Sequence, residues 1–278
     1  MMQVLKAVPG QVLLVLWTLI VLLPFILIAL LAFRPDSEIF AHPLGFGGGF
    51  TLENFLAAWE GPPGGTGLSV YLVNSAIIAL AALATNLVIG SFAAYFSVRL
   101  PGRLRDGFLV FLLVATVVPH VLLVIPMYQL FDAVGLVDSA LAVGVAYGII
   151  SMPTTILVLH AFYRDFPAEL IEAAAVDGLG LVRSFVSIVL PLSRGAIVGV
   201  GILALIFVWG EAQIGITLLQ DRAAQSVSIG MLSFRGQFTV QLGPIFAGLA
   251  IASIPVIVVY LIFNRFIAKG ISLGGVFR

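Results

Sequence analysis

One passage of this sequence sets polar and small residues at regular spacing within an otherwise apolar chain: Glu172-Ala173-Ala174, then Asp177-Gly178, then Ile188, Leu190 and Pro191. In a helix, Leu170, Ala173, Ala174 and Asp177 recur three or four positions apart and share a face. On that face small groups separate one leucine from a carboxylate, which suits close docking into a protein groove rather than catalysis. A linker helix of no special role would use the same residues. A second candidate is Glu211, an acidic residue embedded in an apolar run beside Trp209. A carboxylate there either faces a solute pathway or hydrogen-bonds between helices. Trp209 offers either an aromatic wall for a solute or a packing contact. Asn74, Asn86, Gln129 and His120 complete the polar set within apolar stretches, as pathway groups or as links between helices. His120 has no acidic or histidine partner at ligand spacing, so no metal site is expected. The chain has no phosphate-binding GxxxxGK[ST] loop, no HExxH, no GxSxG and no paired carboxylates in its apolar runs. It is therefore not expected to be an enzyme. Cysteine is absent, which excludes disulfides and thiolate metal centres.

These residues need elements to hold them, and composition says which. Of 278 residues, 61% are hydrophobic and 9% charged, with mean hydropathy +1.19. An ordinary soluble domain carries about 25% charged residues. Apolar runs near 11–33, 70–96, 107–129, 139–162, 196–219 and 244–268 approach the roughly 20 residues that cross a bilayer as helix. They are too long and continuous for the strands of a membrane barrel. The expected fold is all-α, one polytopic domain over 1–278 with six spans and an inner loop at 163–195. The first run is too long for the core of a signal peptide, and reads as a retained anchor. With the N-terminus placed inside, Lys6, Arg99, Arg103, Arg105, Arg164, Arg183, Arg194, Arg265, Lys269 and Arg278 fall on the inner side, and only Arg34, Arg222 and Arg235 outside. That bias predicts both termini in the cytoplasm. Net charge is zero and no nucleic-acid partner is expected.

Local chemistry refines the picture. In the inner loop, Asp165 is expected to cap a short helix with Pro167 in its first turn, and Gly178 to close it in the left-handed conformation. A second helix containing Phe185, Ile188 and Val189 should be interrupted at Pro191. Pro119 and Pro126 should kink the third span. The outer loop 34–69 contains "PLGFGGG" and "GPPGGTG". It also contains a short helix capped by Thr51, with Leu52, Phe55, Leu56 and Trp59 along one side for packing or for a membrane surface.

The longer pattern Glu172-Ala173-Ala174, Gly178, Ile188, Leu190, Pro191, in an inner loop before the penultimate span, resembles the signature loop of permease subunits of bacterial ABC importers. "LVNSAIIALAALATNLVIGSFAAYFSVRLPGRLR", "VVPHVLLVIPMYQLFDAVGLVDSALAVGVAYGIISMPTTILVLHAFYRDFPAELIEAAAVDG" and "FVWGEAQIG" look like the second, shorter permease of the maltose-type branch, over about residues 70–270. The resemblance implies the permease fold of type I importers in a bacterial inner membrane. It implies a second permease, a dimer of ATPase subunits that holds ATP and magnesium, an extracytoplasmic solute-binding protein and a surround of lipid. No cofactor is implied on this chain. The inner helix would be the coupling helix, with Glu172 facing a basic group of the ATPase, Ala173 and Ala174 allowing close approach, and Gly178 setting the bend. The implied substrate is a sugar or polyol. A glycerol phosphate, an amino acid or a peptide would share the loop, while a secondary carrier or an intramembrane enzyme would not. The family's usual Trp-Asn-Glu is Trp209-Gly210-Glu211 here, so the residues that touch substrate do not carry over.

Overall fold

The computed structural model describes residues 2–42, 49–237 and 241–276, with side chains over 10–42, 49–232, 234–236 and 241–263. The glycine-rich stretch from 43 to 48 and the side chains of Lys6, Arg265, Lys269 and Arg278 lie outside the described residues. Among those described, all regular structure is helical. The order is α1 (Met2–Ala32), α2 (Asp36–Ala41), α3 (Glu53–Glu60), α4 (Leu68–Ser97), α5 (Gly102–Val117), a 3-10 turn (His120–Leu123) and α6 (Val124–Ala133). There follow α7 (Ala140–Arg164), α8 (Ala168–Val176), α9 (Leu181–Ser184), a π-helical turn (Phe185–Val189), α10 (Leu190–Leu192) and α11 (Arg194–Gly210). Last come α12 (Gly215–Leu218), a 3-10 turn (Arg222–Ala224), α13 (Val227–Gln237) and α14 (Leu242–Val276).

Four helices are long and apolar enough to cross a membrane unaided, over Gly10–Ala32, Leu68–Ser97, Ala140–Arg164 and Leu242–Phe263. The third and fifth expected spans are broken instead. Between Gly102–Val117 and His120–Ala133 the chain turns by 92°. Pro119 drives Val118 out of the helical region, to φ −63° and ψ 120°. The result is a break, not a kink. Pro126 falls in the first turn of α6, where no helical N–H is needed, and bends nothing. The fifth span does not run from 196 to 219: α11 stops at Gly210, and Glu211 is extended at φ −70° and ψ 127°. At its other end, α11 meets the Leu181–Leu192 helix at an 80° break. That break lies at Ser193, not Pro191, because the π turn from Phe185 to Val189 absorbs the proline without stopping the helix.

The chain forms two compact units. One comprises 1–70 and 230–254, the other 71–229 and 255–278. In the first, α1 leaves Leu13, Trp17, Ile20 and Leu23 exposed, as a lipid-facing span would. The Asn54 amide in α3 donates to the carbonyls of Ala32 (2.9 Å) and Arg34 (2.8 Å), satisfying the C-terminal end of α1. Asp36 accepts from the Gly243 N–H at 2.7 Å, at the start of α14. The N-cap of α3 is Leu52, not Thr51, and Thr51 Oγ1, one residue ahead of it, accepts from the Glu53 N–H at 3.1 Å. Asn54 and Ala58 form its buried face, while Leu52, Leu56 and Trp59 point outward.

In the second unit α4 and α7 pack closely. A Cβ at Gly144 would stand 2.6 Å from the Ile78 carbonyl, and one at Gly148 2.6 Å from that of Ala82. Gly144 and Gly148, four residues apart, thus allow the backbone approach that lets membrane helices pack without a hydrophobic driving force. Hydrogen bonds lock the pair. Asn86 donates to Gly148 O (3.1 Å) and to Ser151 Oγ (2.9 Å) and accepts from Thr155 Oγ1 (2.8 Å). Ser97 meets His160 Nδ1 at 2.7 Å.

Candidate functional site

Helix α8 is built much as its residues suggest, with two shifts. Its N-cap is Pro167, and no side chain caps it. Asp165 ends α7 instead, with its carboxylate 3.3 Å from Arg164 Nε. At the other end Gly178 takes φ +79°. The Leu179 N–H reaches Ala174 O at 2.9 Å and the Gly178 N–H reaches Ala175 O at 3.0 Å, the paired bonds of a Schellman stop.

The docking face differs from the expected one at one position. Leu170, Glu172, Ala173 and Asp177 are exposed, but Ala174 is buried and turned into the protein. Its small side chain lets α8 approach its own body, so close approach from outside falls to Ala173. Ile171 of α8 packs on an aromatic cluster in that body. Phe185, fully buried, lies 4.7 Å from Tyr95, 4.6 Å from Phe92 and 6.1 Å from Tyr163 between ring centroids. One side chain from the π turn therefore joins α4, α7 and the helix that leads into α11. Val189 is buried beside it, Leu190 packs on the same cluster, Ile188 is half-buried and Pro191 is exposed. Beneath α8 lies a cavity of about 300 Å3 lined by Tyr95, Arg99, Tyr163, Arg164, Ile171 and Glu172.

Besides Asn86, three of the expected pathway residues have structural partners. Glu211 is buried at the end of α11, where its carboxylate accepts from the N–H groups of Ile214 (2.9 Å) and Gly215 (3.2 Å) and from the Tyr147 hydroxyl. This side chain takes over the N–H groups of the next turn and so ends the helix. Asn74 donates to Ala223 O (2.7 Å) and Gln225 O (3.0 Å), which clamps the 3-10 turn Arg222–Ala224 onto α4. Trp209 packs against the core cluster around Tyr147 and Leu205, and its carbonyl accepts from Ser228 Oγ. Gln129 is exposed on α6. A Cβ at Gly210 meets nothing within 4 Å, so packing does not require glycine there. Among the described residues no three His, Asp or Glu side chains could share a metal ion.

Sequence reasoning missed a polar cluster in the second unit. Thr116, His120, Ser151, Thr154, Thr155 and Phe207 line a cavity of about 190 Å3 between α5, α7 and α11. Of these, His120 alone stands out in the sequence; the hydroxyls are scattered over two helices and share no sequence pattern.

Broken spans around a polar cavity, with a short stopped helix rooted in two long ones, are features found in membrane transporters. Residues 86–273 match the family model described as "Binding-protein-dependent transport system inner membrane component". The trehalose transport system permease protein SugB of Mycobacterium tuberculosis is 32% identical over 260 residues, covering 92% of each chain. The diacetylchitobiose uptake system permease protein NgcG of Streptomyces coelicolor is 27% identical over 269 residues, 95% of this chain and 87% of that one. The fold is that of a chain in the crystal structure of a bacterial ABC transporter involved in the import of the acidic polysaccharide alginate. The TM-score there is 0.74 at 18% identity, over 94% of this chain and 96% of the other. The chain belongs to the family of binding-protein-dependent transport system inner membrane components, the multi-pass permease subunits of ABC importers.

Proposed function

We propose that this permease carries a carbohydrate or related polyol across the inner membrane, by alternating access driven by ATP hydrolysis on a separate subunit. The observation that carries the mechanism is α8. It is an exposed nine-residue helix with a left-handed glycine stop, fastened through the Phe185 cluster to α4, α7 and the helix leading to α11. Closure of an ATPase dimer against α8 moves these helices as a body, because a packed aromatic cluster transmits displacement instead of absorbing it. Glu172, Ala173 and Asp177 make the contact with the ATPase, and Gly178, Ile188, Leu190 and Pro191 shape the support behind it. ATP and magnesium belong to the ATPase dimer, a second permease completes the pathway, and a soluble binding protein delivers solute from outside. Both termini are cytoplasmic. The solute class follows from relatives whose names record trehalose, diacetylchitobiose, trehalose/maltose and melibiose/raffinose/stachyose transport.

The test is ATP hydrolysis by the complete transporter in the presence of its binding protein. Trehalose, maltose, melibiose or diacetylchitobiose should stimulate it, whereas amino acids and glycerol 3-phosphate should not. Stimulation by an amino acid alone would overturn the solute class.

A further inference from the structure

The cavity between α5, α7 and α11 opens at the middle of a helix long and apolar enough to cross a membrane. Ser151 to Thr155 sit near the middle of the 25-residue α7, at least about 13 Å from either end at about 1.5 Å per residue. At that depth polar groups turned toward lipid are costly, so such a wall faces water, protein or a polar solute. Its groups fall into two sets. Ser151 and Thr155 are occupied: Ser151 Oγ donates to Tyr147 O at 2.8 Å and accepts from Asn86 at 2.9 Å, and Thr155 donates to Asn86 at 2.8 Å. The Asn86 network holds this wall in place. His120 and Thr154 have no hydrogen-bond partner among the described residues. The imidazole makes an edge contact with Phe207, 5.1 Å between ring centroids, and sits on the 3-10 turn where the third span breaks. An imidazole and a hydroxyl without partners, beside an aromatic ring, match a sugar ring, which presents hydroxyls at its rim and C–H groups on its faces.

We propose that this cavity is a carbohydrate subsite, in which His120 and Thr154 hydrogen-bond hydroxyls of one sugar ring and Phe207 forms its apolar wall. The inference rests on the carbohydrate reading above. It moves the solute contact away from Glu211, Asn74 and Trp209, whose groups are engaged within the protein, to the break after α5 and the middle of α7.

Because the chain contains no cysteine, Thr154→Cys gives it a single thiol. The complete transporter carrying this variant is reconstituted in proteoliposomes and treated with N-ethylmaleimide, which modifies thiols from water, and modification is read on this chain by mass. The stimulating sugar is first found among trehalose, maltose, melibiose and diacetylchitobiose by ATP hydrolysis of the unaltered complex. The expected result is that the thiol is modified and that the stimulating sugar slows its modification. No modification would mean that lipid or the partner permease fills the cavity, and would overturn the proposal. Modification at the same rate with and without a stimulating sugar would overturn it equally. If none of the four sugars stimulates hydrolysis, the carbohydrate reading itself fails and the subsite falls with it. That outcome is separable, because it is seen before any thiol is introduced. His120→Leu gives a second reading. Loss of one hydrogen bond to the solute should raise KM about tenfold with little change in kcat, whereas a fall in kcat at constant KM would mark a structural role and refute the assignment.

Discussion

Gly178 is where the coupling account meets a quantity that can be worked out. Its φ is +79°, and an added Cβ would have no heavy atom within 4 Å. Substitution therefore introduces no clash, and the whole penalty is conformational. A β-carbon in the left-handed region costs roughly 1–2 kcal/mol, and less for Asn or Asp, whose side chains can bond locally. Relaxing that strain would unpick the bonds from Leu179 to Ala174 and from Gly178 to Ala175, which close α8. A penalty of this size lowers the ratio of stopped to unstopped helix by about 5- to 30-fold. If that helix transmits ATPase closure, transport should fall in the order Gly, Asn, Ala, Val, with Gly178→Ala about tenfold down at unchanged membrane insertion. The assay is solute uptake and ATP hydrolysis in parallel, in proteoliposomes with matched protein levels, where the ratio of ATP hydrolysed to solute carried should rise. Equal uptake by Gly178→Ala and the unaltered protein, or an Asn variant worse than the Ala variant, would refute the reasoning.

Gly148→Val drives a side chain into the Ala82 carbonyl, 2.6 Å from the Cβ position, and overpacking of about 1–3 kcal/mol should lower the melting temperature of the purified complex. Glu211→Ala removes the acceptor for Ile214, Gly215 and Tyr147, at roughly 1–3 kcal/mol for each stranded donor. It should therefore lower the melting temperature far more than Tyr147→Phe; an unchanged melting temperature with a raised KM would instead make Glu211 a solute ligand. Glu172→Lys reverses charge on the exposed face of α8 and should leave insertion intact while weakening co-purification of the ATPase, measured by subunit stoichiometry. Gly210→Asn meets open space and should retain uptake.

Much of this was legible in the sequence for simple reasons. A long apolar run can do little in a bilayer except form a helix, so α1, α4, α7 and α14 fall close to the expected spans. The stop at Gly178 was readable because a glycine after a run of helix formers has one common use. The broken spans were less so. Whether Pro119 kinks or ends a helix depends on what satisfies the freed backbone groups afterwards, and here a 3-10 turn and α6 leave at 92°. Glu211 looked like a buried charge in mid-helix because its three donors come from a later turn and from a tyrosine 64 residues away. Ala173 and Ala174 are indistinguishable by type, and only the direction in which α8 packs tells the docking residue from the supporting one. The wall formed by His120 and Thr154 comes from separate helices, which no local pattern joins.

The most direct measurement is uptake of radiolabelled trehalose, maltose, melibiose and diacetylchitobiose into proteoliposomes holding this chain with its second permease, ATPase dimer and binding protein. The account predicts accumulation of at least one of these sugars that requires ATP, the binding protein and this chain together. Accumulation by this chain alone, or by the complex without ATP, would contradict it.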